Sequence, residues 1–276
     1  MKKIGFIDYY LDEWHANYYP EFFKKEAGDR MEVAYAYGKI DAPNGMTNKE
    51  WSEKYDVELL GSIEEVIEKS DYIIVLSPDN AEMHIELTDL PLKSGKPVFI
   101  DKTFALKLDE AVQMFDNADS HNTPCYSSSA LNFADELKAV KNEGITRINS
   151  VGCGEFEIYA VHQLEQIVSL MGTDAKRVMY LGENAHPSLL IEFEGGRLAQ
   201  ISHFTDQGFS MTIGYDDVSA ETVKIEKDFW PNCIRGMAEF FETKIPPVSH
   251  KQTLAVVGII DAGIKAKKSP YTWVLI

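Results

Sequence analysis

Three cysteines are all the chain has, Cys125, Cys153 and Cys233, and none pair at metal-ligand spacing. So few and scattered, they fit a reducing cytoplasm, and no metal site is expected. Basic residues are scarce too. The 27 Lys and Arg against 44 Asp and Glu leave a formal net charge of -17. Phosphate backbones and anionic membranes need a basic surface, so nucleic acid and membrane are excluded as expected partners. Long apolar runs are missing. LAVVGII, near the end, falls far short of the ~20 residues that span a bilayer. Asp8 interrupts the first apolar run at once, so no secretory h-region is expected. There is no internal repeat and no low-complexity segment. No Ser-His-Asp order, phosphate-cradling GK[ST] loop or HExxH pair is present.

One further absence raises a question. KIGFIDYYLDEWHANYYPEFF opens like the first strand and helix of a dinucleotide-binding domain. Yet DYYLDEWHA, where that fold turns, contains no glycine.

The 276 residues suffice for two domains with a core each. Ile4 to Ile7 reads as a short buried strand. The turn around Asp12 starts a helix, which Pro20 bends or ends. EVAYAY is a second strand, and residues 40 to 55 are polar and rich in turn formers. Ser62 and Glu65 form a capping box ahead of Ile63, Val66 and Ile67 on one helical face. YIIVLSP and KPVFI are near-continuous apolar runs, as strands buried on both sides require. Between them AEMHIELTDLPLKSG reads as a helix, irregular at Pro91 and closing on Gly95. A helix through LDEAVQMFDNA turns Val112 and Phe115 inward, and TPCYSSS is a further strand. This alternation predicts an α/β fold with a Rossmann-like, doubly wound parallel sheet over residues 1–122.

The pattern then changes. FADELKAVKNEG reads as one amphipathic helix and INSVGCGEFEIY as extended chain. VHQLEQIVSLMG is a helix, with Val161, Leu164, Val168 and Met171 on one face and Gly172 at its end. SLLIEFEGGRLAQISHF alternates around Gly195-Gly196, a hairpin signal. MAEFFETKIPP and QTLAVVGIIDAGIKAKK are late helices. Residues 123–276 are therefore expected to form an α+β domain with a largely antiparallel sheet.

Ligands of an open parallel sheet bind outside the carboxyl ends of its strands. Ile7 with Tyr9 and Tyr10, the residues after Tyr37, Ser77-Pro78 and Asp101-Lys102-Thr103 all stand there. Lys102 is then a proton donor or substrate anchor, or else a solvated loop lysine. His162, with Glu165 three residues on, is a general acid or base, or else half of a surface pair. His84, His186 and His203 read as structural or exposed.

At these residues the chain resembles the glucose-fructose oxidoreductase / inositol dehydrogenase / MocA-like (Gfo/Idh/MocA) family. Ser77-Pro78, His84, Gly95-Lys96-Pro97-Val98 and Asp101-Lys102-Thr103 follow that family's Thr-Pro, His, Gly-Lys-x-Val and Glu-Lys-Pro in order. ADELKAVKNEGITRINSV, AVHQLEQIVSLMG and LLIEFEGGRLAQI resemble its later helix, histidine helix and hairpin. The resemblance implies oxidation or reduction of a sugar, cyclitol or related polyol with NAD or NADP. It implies Lys102 and His162 as catalytic residues, and Tyr159, Glu165 and Tyr10 beside the substrate. Ile7, Tyr9, Ser77, Pro78 and Asp101 would line the cofactor. The chain departs from the family at several points. Ile158 and Ala160 stand where an Asp and a Gly usually precede the histidine, with Glu157 one place off. Thr103 replaces a proline. Tyr37, followed by Gly38 and Lys39, replaces the acid that holds the adenosine ribose. Lys39 suits a 2′-phosphate or is an ordinary surface lysine.

A glycine fingerprint permits the tight turn, lets backbone approach the pyrophosphate and leaves a helix N-terminus open to negative charge. Here Asp12 is expected to cap that helix, with Glu13 beside it, and two carboxylates repel a phosphate. Tyr9 and Tyr10 would then meet a ring or a sugar face. The leading expectation is a Gfo/Idh/MocA-type oxidoreductase with an atypical NAD(P) site. The alternatives are a sugar-binding or accessory protein without dinucleotide, and a non-redox isomerase or lyase using Lys102 and His162. The antiparallel sheet makes a homo-oligomer plausible.

Overall fold

Apolar runs with no polar face become strands covered on both sides, and the first sheet is built of them. In the computed structural model, which describes residues 1–182 and 186–276, these runs include Ile4 to Ile7 and Ile73 to Leu76, all fully buried. The elements in chain order are β1 (Lys2–Asp8), α1 (Trp14–Ala27), β2 (Met31–Gly38), α2 (Asn48–Tyr55), β3 (Glu58–Leu59), α3 (Ile63–Lys69), β4 (Tyr72–Val75), α4 (His84–Leu87), β5 (Val98–Ile100), α5 (Leu108–Ser120) and β6 (Cys125–Ser127). The six strands lie in the order β3-β2-β1-β4-β5-β6, and every pair is parallel. The order reverses between β1 and β4, the switch point at which such sheets open a crevice. This is the doubly wound sheet that the alternation predicted.

The compact unit around this sheet comprises Met1–Ala105, Asp109–Ser128 and Cys233–Ser249. The last stretch belongs to the helix Phe229–Thr243 and supplies an aromatic wedge. Phe241 stacks on Tyr72 with ring centres 4.8 Å apart and planes within 4°, and lies 6.5 Å from Phe23. Phe240 meets Tyr126 edge-on at 4.8 Å.

Several local expectations are corrected here. Residues 40 to 55 are not all turn: Thr47 and Glu50 make a reciprocal capping box that starts α2, and Trp51 on it is fully buried. AEMHIELTDLPLKSG is not one helix. It breaks into 3₁₀ turns at Ala81–Met83 and Pro91–Lys93 around the short α4. Pro91 lacks an amide for the i→i−4 ladder and opens a 3₁₀ turn instead. On α5 the inward residues are Ala111, Met114, Phe115 and Ala118, while Val112 is exposed. The TPCYSSS strand shortens to Cys125–Ser127. Ser62 caps α3 as expected, but Glu65 reaches back to the Gly61 amide, one residue early.

The second unit comprises Leu106–Leu108, Ser129–Asn232 and His250–Ile276. It holds β7 (Ile145–Gly152), α6 (Phe156–Met171), β8 (Ala175–Leu181), β9 (Ser188–Phe193), β10 (Leu198–His203), β11 (Ser210–Tyr215), β12 (Ala220–Lys224), the start of α7 (Phe229–Thr243), α8 (His250–Ala266) and β13 (Trp273–Leu275). Its seven strands run β12-β11-β7-β10-β9-β8-β13, antiparallel except for the β7–β10 pair. This matches the expected mixed, largely antiparallel sheet. Leu164, Ile167 and Val168 of α6 and Ile259 and Ile260 of α8 pack with Ile148, Ile191, Ile201 and Ile213 of the sheet in one core. Gly195 and Gly196, at φ 76° and 75°, close the β9–β10 hairpin that the sequence announced.

Two segments of this unit differ from expectation. FADELKAVKNEG is no α-helix: a 3₁₀ turn, Ala130–Phe133, ends at its first residue, Ala134 is extended, and a second 3₁₀ turn covers Asp135–Ala139. INSVGCGEFEIY is extended only to Gly152. Gly154 sits at φ 80°, and a Cβ there would meet the Tyr159 ring at 2.1 Å, so the chain turns at a glycine. Phe156 then starts α6, which places His162 in its second turn rather than at its start.

Candidate active site

At the carboxyl ends of β1 and β5 the first unit gathers Asp8, Glu13, His15, Asp101 and Lys102, each at least nine-tenths buried. The cap of α1 is Glu13, not Asp12. Ala16 N–H donates to Glu13 Oε1 at 2.5 Å and His15 N–H to Oε2 at 2.7 Å. Asp12 is diverted: it accepts from the Met46 amide at 2.8 Å and from Asn17 Nδ2 at 3.0 Å. His15 Nδ1 lies 3.3 Å from Glu13 Oε2 and 3.5 Å from Asp101 Oδ2, so the ring bridges two carboxylates. Asp8 Oδ1 accepts from the Tyr9 amide at 2.6 Å. Asp8 Oδ2 is buried with no hydrogen-bond partner.

Burial, with the Glu13 and Asp101 charges beside it, holds the Asp8 carboxyl well above the usual carboxylate range. Burial pulls the His15 imidazole down, but Asp101 and Glu13 outweigh it and the net shift is upward. The linkage signs follow. An acid whose pKa is raised by folding costs nothing below its unfolded value and destabilises increasingly as pH rises through its folded value. A raised histidine stabilises below its ordinary value and loses that contribution as pH rises through its folded one. Asp8→Asn keeps the acceptor for Tyr9 and removes the ionisable oxygen. Calorimetry is expected to show its melting temperature above wild type by about a few degrees at pH 8, and by less at pH 5. An equal difference at both pH values would mean that Asp8 does not carry this proton.

The sequence expectation of NAD or NADP is tested by the amides of this turn. A pyrophosphate at a helix N-terminus needs free backbone N–H groups. That of Tyr9 goes to Asp8, that of Leu11 to Asn48 Oδ1 at 3.0 Å, that of Glu13 to the Leu11 carbonyl at 2.9 Å, and those of His15 and Ala16 to Glu13. Beyond the strands the Lys39 amide donates to the Asp8 carbonyl and the Ile40 amide to that of Tyr9, at 3.0 and 2.9 Å. Asn48 Nδ2 adds bonds to the Gly38 and Ile40 carbonyls at 3.0 and 2.8 Å. At this turn the amides of Tyr9, His15 and Ala16 are held by the chain's own carboxylates.

The other expected residues of this unit are distributed as follows. Lys102 Nζ donates to the Pro78 carbonyl at 3.2 Å, which joins the loops after β4 and β5. Ser77, at φ 83°, donates through Oγ to the Asn80 carbonyl at 3.0 Å. The Ile7 side chain is fully buried in the core. The Tyr9 and Tyr10 rings are half-buried and pack together at 5.8 Å. Lys39 is ion-paired with Glu86. His84, fully buried, turns Nδ1 to the carbonyls of Thr103 and Phe104 at 2.9 and 3.1 Å and Nε2 to that of Leu76 at 2.6 Å. It is the clamp that fixes the loop carrying Lys102.

In the second unit α6 carries the other expected group. His162 Nδ1 lies 2.6 Å from Ser129 Oγ. Glu165, one turn on, accepts from the Ser129 amide at 2.8 Å. The Tyr159 and Phe209 rings flank His162, each 5.4 Å away. His162, Tyr159 and Glu165 stand together on α6, and Ser129 lies beside them. Glu157 instead pairs with Lys267 at 2.7 Å, and Ile158 offers no polar atom. His203 is buried with Nδ1 3.2 Å from the Cys153 carbonyl, and exposed His186 stacks on Phe204. Sequence reasoning missed Ser129, Asp8 and His15. Only the strand-end position of Asp8 could have pointed to any of them. Among the described residues no group of three His, Cys, Asp or Glu is set to hold a metal ion, and no helix is long and apolar enough to cross a membrane.

Residues 24–129 match the family model described as "Oxidoreductase family, NAD-binding Rossmann fold". No curated protein matches the chain by sequence. Solved structures match it over nearly its whole length. Scyllo-inositol dehydrogenase from Lactobacillus casei, with bound NAD(H) and scyllo-inositol, superposes with a TM-score of 0.79 at 12% identity, over 99% of this chain and 98% of that one. UDP-N-acetylglucosamine 3-dehydrogenase from Acidithiobacillus ferrooxidans gives 0.77 at 12% identity, over 98% and 97%. A dehydrogenase from Clostridium difficile gives 0.74 at 16% identity, over 96% and 99%. At these identities the likeness is one of fold.

Proposed function

We propose, from the Gfo/Idh/MocA match and the fold that accompanies it, that this chain is an oxidoreductase of that type acting on a sugar, cyclitol or related polyol, with an atypical site for NAD or NADP. The observation that carries the reading is the arrangement of His162, its Nδ1 on Ser129 and its ring flanked by Tyr159 and Phe209. A histidine held in this way is oriented to exchange a proton with a substrate hydroxyl at its other nitrogen. Lys102, buried at the end of β5, is the proposed second group, an anchor or proton donor for a substrate oxygen. Tyr159 offers a ring to a sugar face and Glu165 a carboxylate to the site. The chain is read as cytoplasmic, and the sheet face not covered by α6 and α8 as the surface of a homo-oligomer.

Glu13 favours a second reading, a sugar-binding or accessory protein without dinucleotide, because it takes the amides that a pyrophosphate would use. Titration of NADH and NADPH into the purified protein, followed by fluorescence and calorimetry, separates the two. Micromolar binding is the expected result and would be followed by a screen of polyols. A folded protein that binds neither up to millimolar concentration would sink the first reading. Turnover of a polyol without nicotinamide would instead support an isomerase or lyase.

A further inference from the structure

We propose that His84 is a buried imidazolium, protonated on both ring nitrogens, and that it is the positioning residue for Lys102. The positioning role rests on the reading of Lys102 as a substrate-facing group. His84 is fully buried, and carbonyl oxygens face both of its nitrogens. Nδ1 lies 2.9 Å from that of Thr103 and 3.1 Å from that of Phe104, and Nε2 lies 2.6 Å from that of Leu76. A carbonyl oxygen only accepts, so each of these bonds takes its hydrogen from the ring. A neutral imidazole carries one N–H, which serves one side. Its other nitrogen would set a lone pair against a carbonyl at 2.6 or 2.9 Å. The imidazolium satisfies both sides, and hydrogen bonds from a charged donor are about twice as strong as neutral ones.

Burial opposes the charge and pulls the ring below its ordinary value overall, while the Leu76 carbonyl, the Asp101 charge and the Phe104 and Thr103 carbonyls push it up. The contacts decide for the charged form, because the neutral ring has no cheap escape. The Leu76 amide is fixed on the Ile7 carbonyl at 2.8 Å, and the Asp101 amide, just ahead of the other two carbonyls, on that of Val75 at 2.8 Å. Moving either carbonyl group away would disturb the end of a buried strand. Asp101, itself buried, supplies the compensating charge. The loops after β4 and β5 are thus joined twice, by His84 and by Lys102 Nζ on the Pro78 carbonyl. Lys102 turns to a substrate oxygen only by giving up Pro78. His84 keeps the two loops together when it does, so the lysine stem starts from the same place in both states.

The first test is ¹⁵N NMR of the full chain labelled in histidine. At pH 7 both His84 nitrogens are expected to carry a hydrogen. A nitrogen without one at that pH would overturn the assigned charge. The positioning role is read from lysine acylation, followed by mass spectrometry, in wild type, His84→Gln and His84→Asn. A side-chain amide donates to one side only, so the Lys102 rate is expected to rise about tenfold through local opening. Lys96 is the control. It stands at the amino end of β5 with its Nζ on the Ile67 and Ser70 carbonyls, and its rate is expected to stay as in wild type. An unchanged Lys102 rate, or an equal rise at both lysines, would overturn the positioning role. Neither measurement uses turnover, so failure to find a polyol substrate counts against the oxidoreductase reading alone.

Discussion

His162→Ala is expected to lower kcat/KM on any polyol that the protein turns over by about 10²- to 10⁴-fold, the range that one positioned acid–base group supplies. The ring is half-buried between Tyr159 and Phe209, so its loss leaves the α6 core residues Leu164, Ile167 and Val168 in place. Circular dichroism and melting temperature should therefore stay close to wild type, and the effect should be one of rate. Lys102→Met is the matched change in the first unit. Methionine keeps much of the aliphatic stem that is buried there and removes the charge. A loss of the same order is expected, concentrated in kcat if Lys102 passes a proton and in KM if it anchors an oxygen. Steady-state kinetics on both variants decides this. Full activity in either variant would strike that residue from the site.

The largest expected effect on stability comes from Phe241→Ala. The ring is 1% exposed, stacks on Tyr72 and lies against Phe23. Removing a buried phenylalanine side chain costs about 3–5 kcal/mol, part transfer free energy and part cavity. Phe241 enters the first unit from the far end of the chain, so no local segment can collapse into its place. Denaturant unfolding followed by tryptophan fluorescence would measure the loss. A change below about 1 kcal/mol would mean that Cys233–Ser249 is not integral to the first unit.

The sequence made the parallel sheet legible because YIIVLSP and KPVFI have no polar face, and the hairpin legible because only glycines serve at Gly195 and Gly196. Other features depended on partners far along the chain. Asp12 is the better N-cap by type, yet its carboxylate takes the Met46 amide instead and Glu13 caps the helix. Val112 looked inward by size, yet the inward stripe on α5 includes the small Ala111 and Ala118. FADELKAVKNEG has helix formers throughout and still makes only 3₁₀ turns, since helix propensity is a weak prior that tertiary context overrides. Of the candidate site, His162, Glu165 and Lys102 could be named from the sequence. Ser129 was not, because a serine 33 residues upstream gives no sign in sequence of standing beside a histidine.

The self-capped head of α1 also bears on how a ligand can be found. A protein that leaves a helix end open for a phosphate is completed by its ligand, and mass action turns that completion into a higher melting temperature. Here Glu13 already satisfies the His15 and Ala16 amides in the free chain. Phosphate, pyrophosphate and nucleotides would have to displace a covalently tethered rival, whose local concentration never falls when the solution is diluted. A thermal-shift screen of anions should therefore read as silence from this end of the sheet. Any stabilisation by a dinucleotide in such a screen reports contacts made elsewhere on the chain.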